Sequence, residues 1–315
     1  MENIYLRISV TDRCNYACKY CVPKENIKYI PNSEILSFEE LEILVSTLKK
    51  IVDVSSLRLT GGEPLLRKGL DILIKKLKNL GIKDLSLTTN GYFLLDKAQV
   101  LKKAGLDRIN VSLDTLNSKK YKSLTKYGSL DKVLKGLLEA KRYFKNIKIN
   151  TVLIKNFTEE EIDDLLLFCQ KHNFEIRFIE LMNIGIFNTE KCFLSVTYIK
   201  NYLENKYGKL ISIEKNSFGP AQRFYIPSLN VKIGFIPTSH NFCKTCNRLR
   251  ISADGKLRLC LLNDLSIDLK KFLRDKNFSQ NNLKEILLSI LNKKAANLLS
   301  LKQNYCKENM IKIGG

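Results

Sequence analysis

The sequence predicts an α/β protein, an incomplete (β/α)6 TIM-like barrel with a C-terminal extension. Apolar, strand-like runs alternate with amphipathic helical patterns through the first 185 residues. Such units in series imply a parallel sheet with right-handed crossovers, closed or partly closed into a barrel; a doubly wound sheet is the alternative. The chain of 315 residues, 44% of them hydrophobic, is long enough for one large core with an appendage.

The predicted elements follow one another in strand-helix order. The strands are 4–10, 54–60, 83–88, 107–113, 147–154 and 174–179. The helices are 37–50, 69–80, 96–104, 130–144 and 158–172. In either architecture ligands bind beyond the carboxyl ends of the strands, so residues at those ends are the first candidates for a functional site.

The rhythm changes after about residue 185 to short strands and turns. Gly219-Pro220 and Asp254-Gly255 mark turns, and helical patterns resume over 267–301. We therefore predict a barrel over residues 1–185 and an extension over residues 186–315 that packs on the barrel rather than forming an independent domain.

The net charge of +21 comes mostly from lysine, since 41 of the 53 basic residues are lysine and 12 are arginine. Lysine is the usual solvated surface cation, whereas arginine is preferred where phosphate is bound by two hydrogen bonds. The lysines are scattered through amphipathic stretches, which favours a solvated basic surface over a nucleic-acid site. No long basic block, zinc-finger spacing or RNP-like aromatic motif indicates nucleic-acid binding.

The N-terminal residues run straight into a strand-like segment, without the pattern of a signal sequence. No apolar run approaches the ~18 residues that span a bilayer. We therefore expect a cytoplasmic protein that does not bind membranes. In that reducing compartment, nine cysteines with grouped spacing indicate metal or redox chemistry rather than disulfides.

The first cysteine triplet, Cys14, Cys18 and Cys21, follows the first predicted strand with CxxxCxxC spacing. Three thiolates on one loop can bind three irons of a cubane cluster and leave the fourth iron open. Zinc is the rival, but it usually needs a fourth ligand, and neither His172 nor His240 is close in sequence.

The second triplet, Cys243, Cys246 and Cys260, lies in the turn-rich extension. By itself its spacing suits zinc, with His240 as fourth ligand, about as well as an iron–sulfur cluster. Its presence beside the first triplet favours iron–sulfur. We expect the remaining cysteines, Cys169, Cys192 and Cys306, to have ordinary structural roles.

The CxxxCxxC loop with Tyr20, followed by Gly61-Gly62-Glu63-Pro64, resembles the radical S-adenosylmethionine enzymes. Nearly the whole chain is similar to one of their families, the GTP 3′,8-cyclases, to which molybdenum cofactor biosynthesis protein A belongs. The similar stretches are 6–14, 58–64, 88–92, 110–114, 148–152, 177–182, 219–222, 243–250 and the terminal Gly314-Gly315.

The resemblance implies two [4Fe–4S] clusters, one on each triplet, and S-adenosylmethionine chelated to the open iron of the first. We expect Gly61 and Gly62, which lack side chains, to let the backbone approach a ligand, and Glu63 to receive a cationic amino group. The positions that match S-adenosylmethionine-binding residues are Tyr20, Gly62, Ser112 and Met182.

The predicted substrate is GTP, whose triphosphate carries about four negative charges and needs preorganised cations. Besides Arg13, five of the twelve arginines lie in the matched stretches. Arg13 instead is expected to anchor the cysteine loop. The GTP-binding residues that the resemblance implies are Arg7, Arg58, Thr88, Lys148, Arg177, Arg248, Leu249 and Arg250.

The implied reaction is the first step of molybdenum cofactor (molybdopterin) biosynthesis. Reductive cleavage of S-adenosylmethionine gives a 5′-deoxyadenosyl radical, which abstracts the ribose 3′ hydrogen of GTP. Attack on purine C8 then gives (8S)-3′,8-cyclo-7,8-dihydroguanosine 5′-triphosphate, while the second cluster faces the guanine base. The resemblance gives catalytic roles to Arg177 and to the tail residues Gly314 and Gly315, which are expected to enter the active site.

The implied partners are GTP, an unidentified electron donor, a cyclic pyranopterin monophosphate synthase that takes the product, and a second copy of the chain in a homodimer. Two rival functions remain. A peptide-modifying radical enzyme would usually carry more auxiliary cysteines, and a non-catalytic iron–sulfur or zinc protein that binds RNA would have no use for the Gly61–Pro64 motif.

Overall fold

The computed structural model describes residues 3–22, 27–182, 184, 191–213, 219–238, 246–262, 265–296 and 310–314. The strands are β1 Asn3–Ser9, β2 Asp53–Thr60, β3 Asp84–Thr89, β4 Arg108–Ser112, β5 Ile147–Leu153, β6 Glu175–Glu180, β7 Ile211–Ile213, β8 Gln222–Ile226, β9 Val231–Ile236, β10 Arg248–Ile251, β11 Lys256–Arg258 and β12 Ser266–Asp268. The helices are α1 Phe38–Lys49, α2 Leu70–Asn79, α3 Leu94–Lys103, α4 Ser118–Thr125, α5 Leu130–Lys141, α6 Ile162–His172, α7 Val196–Tyr207, α8 Leu269–Leu273, α9 Gln280–Ala296 and α10 Met310–Ile313.

One twelve-stranded sheet organises the chain, in the order β12-β11-β10-β1-β2-β3-β4-β5-β6-β9-β8-β7. Strands β1 to β6 are parallel and follow one another without the reversal that a doubly wound sheet requires. This order confirms the predicted incomplete barrel.

The extension continues the sheet at both edges. Strand β10 pairs parallel with β1, and β9 pairs parallel with β6. The parallel part of the sheet therefore has eight strands, two more than sequence periodicity indicated. The extension is thus built into the barrel wall, a closer association than packing on its outside.

Helix α4 was absent from the sequence prediction. Its sequence, SKKYKSLT, has five polar residues and only one tyrosine before its leucine, which hides its helical period. The Asn117 side chain caps it by accepting hydrogen bonds from two backbone N–H groups of the first turn, and Tyr121 and Leu124 are buried.

The parallel strands present two chemically different faces. Leu6, Leu57, Leu85 and Ile109 alternate along their strands with polar residues and belong to the apolar core beneath the helices. The opposite face carries arginine, serine, asparagine and lysine side chains, many of them buried. Parallel strands covered on both faces are usually apolar throughout, so a polar inner face indicates a ligand-lined interior.

Within the ranges that the structure describes, no helix combines the length and the apolar character that a bilayer crossing requires.

Candidate active site

The loop that follows β1 carries the first cysteine triplet. Cys14, Cys18 and Cys21 are free thiols and are half-buried. Two backbone N–H groups of this loop donate to the carbonyl oxygens of Leu124 and Thr125, at the end of α4. The helix that sequence periodicity missed therefore fixes the cysteine loop.

The three thiols share one buried environment. Burial raises the pKa of Cys14 to about 11 and that of Cys21 to about 12. Burial also holds the pKa of Cys18 well above its ordinary value, with the charges of Cys21, Asp114 and Cys14 adding to the effect. Thiolates here need bound cations to offset burial and mutual repulsion, and the irons of a cluster would provide them. The donor set therefore fits a cluster.

No group of three Cys, His, Asp or Glu side chains among the described residues is arranged to hold a metal ion. In a cubane cluster each cysteine binds a different iron, so the three thiols lie farther apart than the ligands of a single ion. The absence of a single-ion arrangement among these residues is therefore compatible with a cluster.

Gly61 and Gly62 support the cysteine loop. A Cβ atom at Gly62 would lie 2.3 Å from the carbonyl oxygen of Arg13, and one at Gly61 would lie 2.4 Å from that of Thr11. Those two carbonyl oxygens accept hydrogen bonds from the N–H groups of Glu63 and Gly62. The missing side chains of these glycines therefore let the chain before Cys14 approach the turn after β2. Their expected role in letting the backbone approach a ligand is not tested by these contacts. Contact between Gly62 and S-adenosylmethionine stays a prediction.

Replacing Gly62 with alanine is expected to displace the Arg13 carbonyl and weaken the first cluster, at a cost of about 1–3 kcal/mol in folding free energy. Iron content after anaerobic reconstitution and thermal unfolding would measure both effects. Gly81→Ala is the control, because Gly81 has a positive φ of 78° and only a lysine Nζ within 4 Å of its Cβ position. Equal iron content in the two variants would contradict the expected role of Gly62.

The Glu63 side chain is fully buried and committed to the fold. Its carboxylate accepts hydrogen bonds from the Leu65 N–H, the Thr89 hydroxyl and the Asn90 N–H. Burial raises its pKa to about 7. Its carbonyl oxygen also accepts the N–H of Leu66. These contacts fix the turn against β3. Receipt of a cationic amino group by Glu63 and the backbone carbonyls of this turn stays a prediction.

The other residues predicted to bind S-adenosylmethionine also lie at the carboxyl ends of strands. The Tyr20 hydroxyl donates to Asp114 at 2.8 Å, two residues after Ser112 ends β4. Met182 follows β6 and packs against a small apolar cluster formed by Ile184 and Ile313. The Arg13 guanidinium pairs with Asp12 and donates to the Ile30 carbonyl, which confirms its expected role in anchoring the loop.

The predicted GTP-binding arginines come together inside the barrel. Arg250, Arg7 and Arg58 are register neighbours on β10, β1 and β2. The same row continues through Ser86 on β3 to Arg108 on β4. Like charges opposite one another on adjacent strands repel, so this arrangement favours a polyanion between them.

The electrostatics of this row reflect its concentration of positive charge. Burial and the charge of Arg248 lower the pKa of Arg250 to about 9. Burial, together with the charges of Arg250 and Arg58, holds the pKa of Arg7 well below its ordinary value. Among the described residues no carboxylate pairs with Arg58 or Arg250. An anionic ligand would relieve this repulsion.

A second cationic group lies at β5 and β6. Glu175 is paired with Lys148 at 2.9 Å, with Arg177 at 3.0 Å and with Arg223 at 2.9 Å. Burial and the charge of Arg177 lower the pKa of Lys148 to about 7, although Glu175 opposes the shift. The three cations outnumber their carboxylate, so this group also carries excess positive charge.

Several polar atoms inside the barrel are buried without a hydrogen-bond partner. They include the Thr88 hydroxyl, the Asn110 Oδ1 and the Asn150 Oδ1, which lie on β3, β4 and β5. Thr88 and Asn110 are register neighbours, and Asn110 is the neighbour of Lys148. Buried polar groups normally have hydrogen-bond partners, so these atoms indicate a polar ligand.

At the amino-terminal ends of the strands the barrel opens into a cavity of about 660 Å³.

The expectation that functional residues lie at strand ends holds only for part of the site. Arg7 and Arg58 are in the middle of their strands, and Lys148 is the second residue of β5. A long polyanion explains the difference, because its phosphates can lie along the barrel axis while the cysteine loop closes the carboxyl end. Leu249 is fully buried in the apolar core, so only its backbone faces the interior.

The second triplet is described in part. Cys243, like His240, lies outside the described residues, whereas Cys246 and Cys260 are half-buried free thiols. The Arg248 Nε donates to the Cys246 sulfur at 3.3 Å. Burial acts to raise the pKa of Cys246, but the charges of Arg248 and Lys294 and the hydrogen bonds from Arg248 together outweigh it, and the pKa lies below its ordinary value. Thiolate donors beside a cation fit cluster ligands.

The C-terminal tail reaches the arginine row. The Arg250 Nη1 donates to the Gly314 carbonyl at 3.2 Å, and Gly314 has a positive φ of 72°. A Cβ atom there would lie 2.9 Å from the Cβ of Ser9 and 3.0 Å from the Cγ2 of Thr60. Gly314 therefore lies at the carboxyl ends of β1 and β2, while Gly315 is outside the described residues.

Sequence reasoning missed Asn110, Asn150 and Glu175. The signal that could have found them is the alternation of polar and apolar residues along parallel strands, such as Arg108-Ile109-Asn110-Val111-Ser112. Read as an ordinary half-buried strand, this pattern points the polar residues to solvent; in a barrel it points them inward.

Comparisons with known proteins agree with this geometry. The family model for the Radical SAM superfamily matches residues 8–169, and that for Molybdenum Cofactor Synthesis C matches residues 174–299. The GTP 3′,8-cyclase of Thermodesulfovibrio yellowstonii is 42% identical over 92% of this chain and 91% of its own. That of Peptoclostridium acidaminophilum is 40% identical over 99% of this chain and 95% of its own.

Among solved structures, Streptococcus suis SuiB bound to S-adenosylmethionine matches with a TM-score of 0.59 at 18% identity. The match covers 90% of this chain and 68% of SuiB. At that identity the likeness concerns the fold.

Proposed function

This chain belongs to the GTP 3′,8-cyclase family of radical S-adenosylmethionine enzymes, and from that premise we propose how its residues divide the reaction between two ends of one barrel. The enzyme cyclises GTP to 3′,8-cyclo-7,8-dihydroguanosine triphosphate in molybdenum cofactor biosynthesis and uses two [4Fe–4S] clusters. When bound, the first cluster and S-adenosylmethionine supply the radical that removes the ribose 3′ hydrogen.

At the carboxyl end of the barrel, Cys14, Cys18 and Cys21 would hold the first cluster. The backbone of Tyr20 and Gly62, with Ser112 and Met182, would position S-adenosylmethionine against it. Exclusion of water when the ligands are bound would protect a reactive carbon radical from side reactions.

In the interior, Arg7, Arg58 and Arg250 would bind phosphate oxygens from one wall, and Lys148 and Arg177 from the other. The Thr88 hydroxyl would donate to the nucleotide. Cys243, Cys246 and Cys260 would hold the second cluster, facing the guanine base. Fixed cations at both walls hold the ribose in one orientation, and such positioning is the main protein contribution to this chemistry.

A single observation carries this assignment. A row of buried arginines lies below the cysteine loop and contacts the C-terminal tail, and among the described residues no carboxylate pairs with its members Arg58 and Arg250. A solvated basic surface would not bury these charges. A site for a triphosphate explains both their burial and their convergence.

Anaerobic reconstitution tests the function. The protein would be supplied with iron, sulfide, dithionite, S-adenosylmethionine and GTP, and assayed for 5′-deoxyadenosine and a cyclised GTP product. Both should form together. Deoxyadenosine without GTP consumption would contradict the substrate, and a loaded cluster without cofactor cleavage would contradict the radical reaction.

The Lys148 pKa predicts a pH dependence for GTP binding. In the free protein this pKa is lowered to about 7, and a bound phosphate would raise it. At a pH between the Lys148 pKa of the free protein and its higher pKa in the complex, the complex binds one proton more than the free protein. The affinity for GTP therefore falls as the pH rises above about 7, by up to about tenfold per pH unit.

Equilibrium dialysis of GTP at several pH values would measure this dependence. Lys148→Arg keeps the charge at all these pH values and should remove that part of the decline. Because titration of the GTP phosphates is common to both proteins, an identical pH profile for the two would contradict the role of Lys148.

The same proposal extends to partners and location. An external one-electron donor must reduce the first cluster, and a cyclic pyranopterin monophosphate synthase would take the product. We also propose that the chain acts in the cytoplasm and as a homodimer; size-exclusion chromatography with light scattering tests the dimer.

A further inference from the structure

Lys294 on α9 is a buried lysine beside the second cysteine triplet. Its side chain has no solvent exposure. Leu283, Leu287 and Ile290 form the apolar stripe of the same helix, and Lys294 lies four residues after Ile290 on that stripe. A lysine at a core position is costly unless its charge is balanced, so its presence requires a reason.

The ammonium group bonds two backbone segments at once. Its Nζ donates to the Arg248 carbonyl and, at 2.8 Å, to the Leu259 carbonyl. Arg248 is two residues after Cys246, and Leu259 is the residue before Cys260. One side chain thus ties together the two segments that carry the described cysteines of this triplet.

The strand pairing explains why one group can reach both segments. Strands β10 and β11 are antiparallel, with Arg250 opposite Arg258. Cys246 precedes the first strand and Cys260 follows the second, so both lie at the open end of this hairpin. Lys294 closes that end from the side of α9.

The charge of Lys294 has no carboxylate partner among the described residues. Burial lowers the pKa of Lys294. Cys246 and Cys260 oppose this shift, whereas the charges of Arg248 and Arg250 add to it. Two of the three ammonium donors are accounted for by the carbonyl groups of Arg248 and Leu259.

We propose that Lys294 is a positioning residue for the second cluster: it sets the separation of Cys246 and Cys260 and stabilises the added negative charge when that cluster is reduced. This inference rests on the proposed assignment of the second cluster to Cys243, Cys246 and Cys260. A buried cation close to a cluster favours its reduced form, and hydrogen bonds near the ligands fix their geometry.

The test compares Lys294→Met with Lys294→Arg in the reconstituted full chain. Methionine keeps the length and apolar stem but removes the charge and both hydrogen bonds, whereas arginine keeps the charge and the donors. Lys284→Met, on the more exposed part of α9, is the matched control. Cys260→Ala is the reference for loss of the second cluster.

The readouts are the rate of iron release to a chelator and the midpoint potential of each cluster from EPR-monitored titration. Lys294→Met should release second-cluster iron at least about tenfold faster and shift that cluster to a more negative potential. Lys294→Arg should restore the wild-type potential, and Lys284→Met should match the wild type. Continued cleavage of S-adenosylmethionine at the first cluster would show that the variants are folded.

Wild-type release rate and potential in Lys294→Met would overturn the proposal. Equal loss of both clusters would overturn it as well, because Lys294 would then support the fold in general. Full second-cluster iron in Cys260→Ala would instead contradict the cysteine assignment, which separates that failure from a failure of Lys294.

Discussion

Deletion of Gly314 and Gly315 is expected to reduce GTP cyclisation by about a hundredfold or more while both clusters stay in place. The Gly314 carbonyl accepts a hydrogen bond from Arg250, in the row that we assign to GTP. Without the tail, that arginine and the substrate lose a fixed neighbour, and a misplacement of about 1 Å near the reacting atoms can cost about 10²-fold in rate. S-adenosylmethionine cleavage should continue, uncoupled from product formation.

Quantifying deoxyadenosine and cyclised product from the same samples would measure this uncoupling. Gly314→Ala should act in the same direction, since a Cβ would lie 2.9 Å from that of Ser9 and the residue has a positive φ. Gly208→Ala is the matched control, because Gly208 also has a positive φ and no atom lies within 4 Å of its Cβ position. Unchanged product formation by the truncated chain would remove the tail from the mechanism.

Replacing Arg58 with methionine is expected to weaken GTP binding by roughly thirtyfold or more and to stabilise the ligand-free protein by about 1 kcal/mol. Arg58 is buried, its Nε donates to the Ser86 hydroxyl at 3.3 Å, and its guanidinium lies 5.4 Å from the Tyr5 ring centroid. Burial lowers its pKa, and the charge of Arg108 contributes. A buried arginine whose charge is balanced only by a ligand lowers the folding stability of the ligand-free protein.

Arg108→Met is the contrasting variant. Arg108 forms two hydrogen bonds with the Asp84 carboxylate, so its removal leaves that carboxylate without its partner and should lower the melting temperature. Melting temperatures with and without GTP, with dialysis for affinity, would measure both variants. If Arg58→Met destabilised the free protein and still bound GTP like the wild type, Arg58 would be a structural residue.

The parallel core of the fold was predictable because its signals are local. Periodicity located β1 to β6, and the CxxxCxxC spacing proposed a first cluster site without any tertiary information. The pairing of β9 and β10 with the two edges of the sheet was not predictable in this way, since it joins short strands to partners more than fifty residues away.

Site residues that lie in a sequence motif were predictable, whereas their arrangement in space, which depends on strand register and hydrogen bonding, was less so. The motifs identified Arg7, Arg58 and Arg250, but only the strand register shows that they form one row. Glu63 shows what a motif leaves out: its position indicates a ligand contact, but only the structure shows the three hydrogen bonds by which its carboxylate fixes the turn. Lys294 carries no motif, and its role depends on which carbonyl groups its ammonium reaches.

The central claim is that one barrel holds S-adenosylmethionine at its cysteine loop and the GTP ribose directly below it. Turnover of GTP deuterated at the ribose 3′ carbon, followed by mass spectrometry of both products, tests this most directly. The account predicts deuterium in 5′-deoxyadenosine and its loss from the cyclised nucleotide. Deoxyadenosine without deuterium, formed while the nucleotide retains its label, would contradict it.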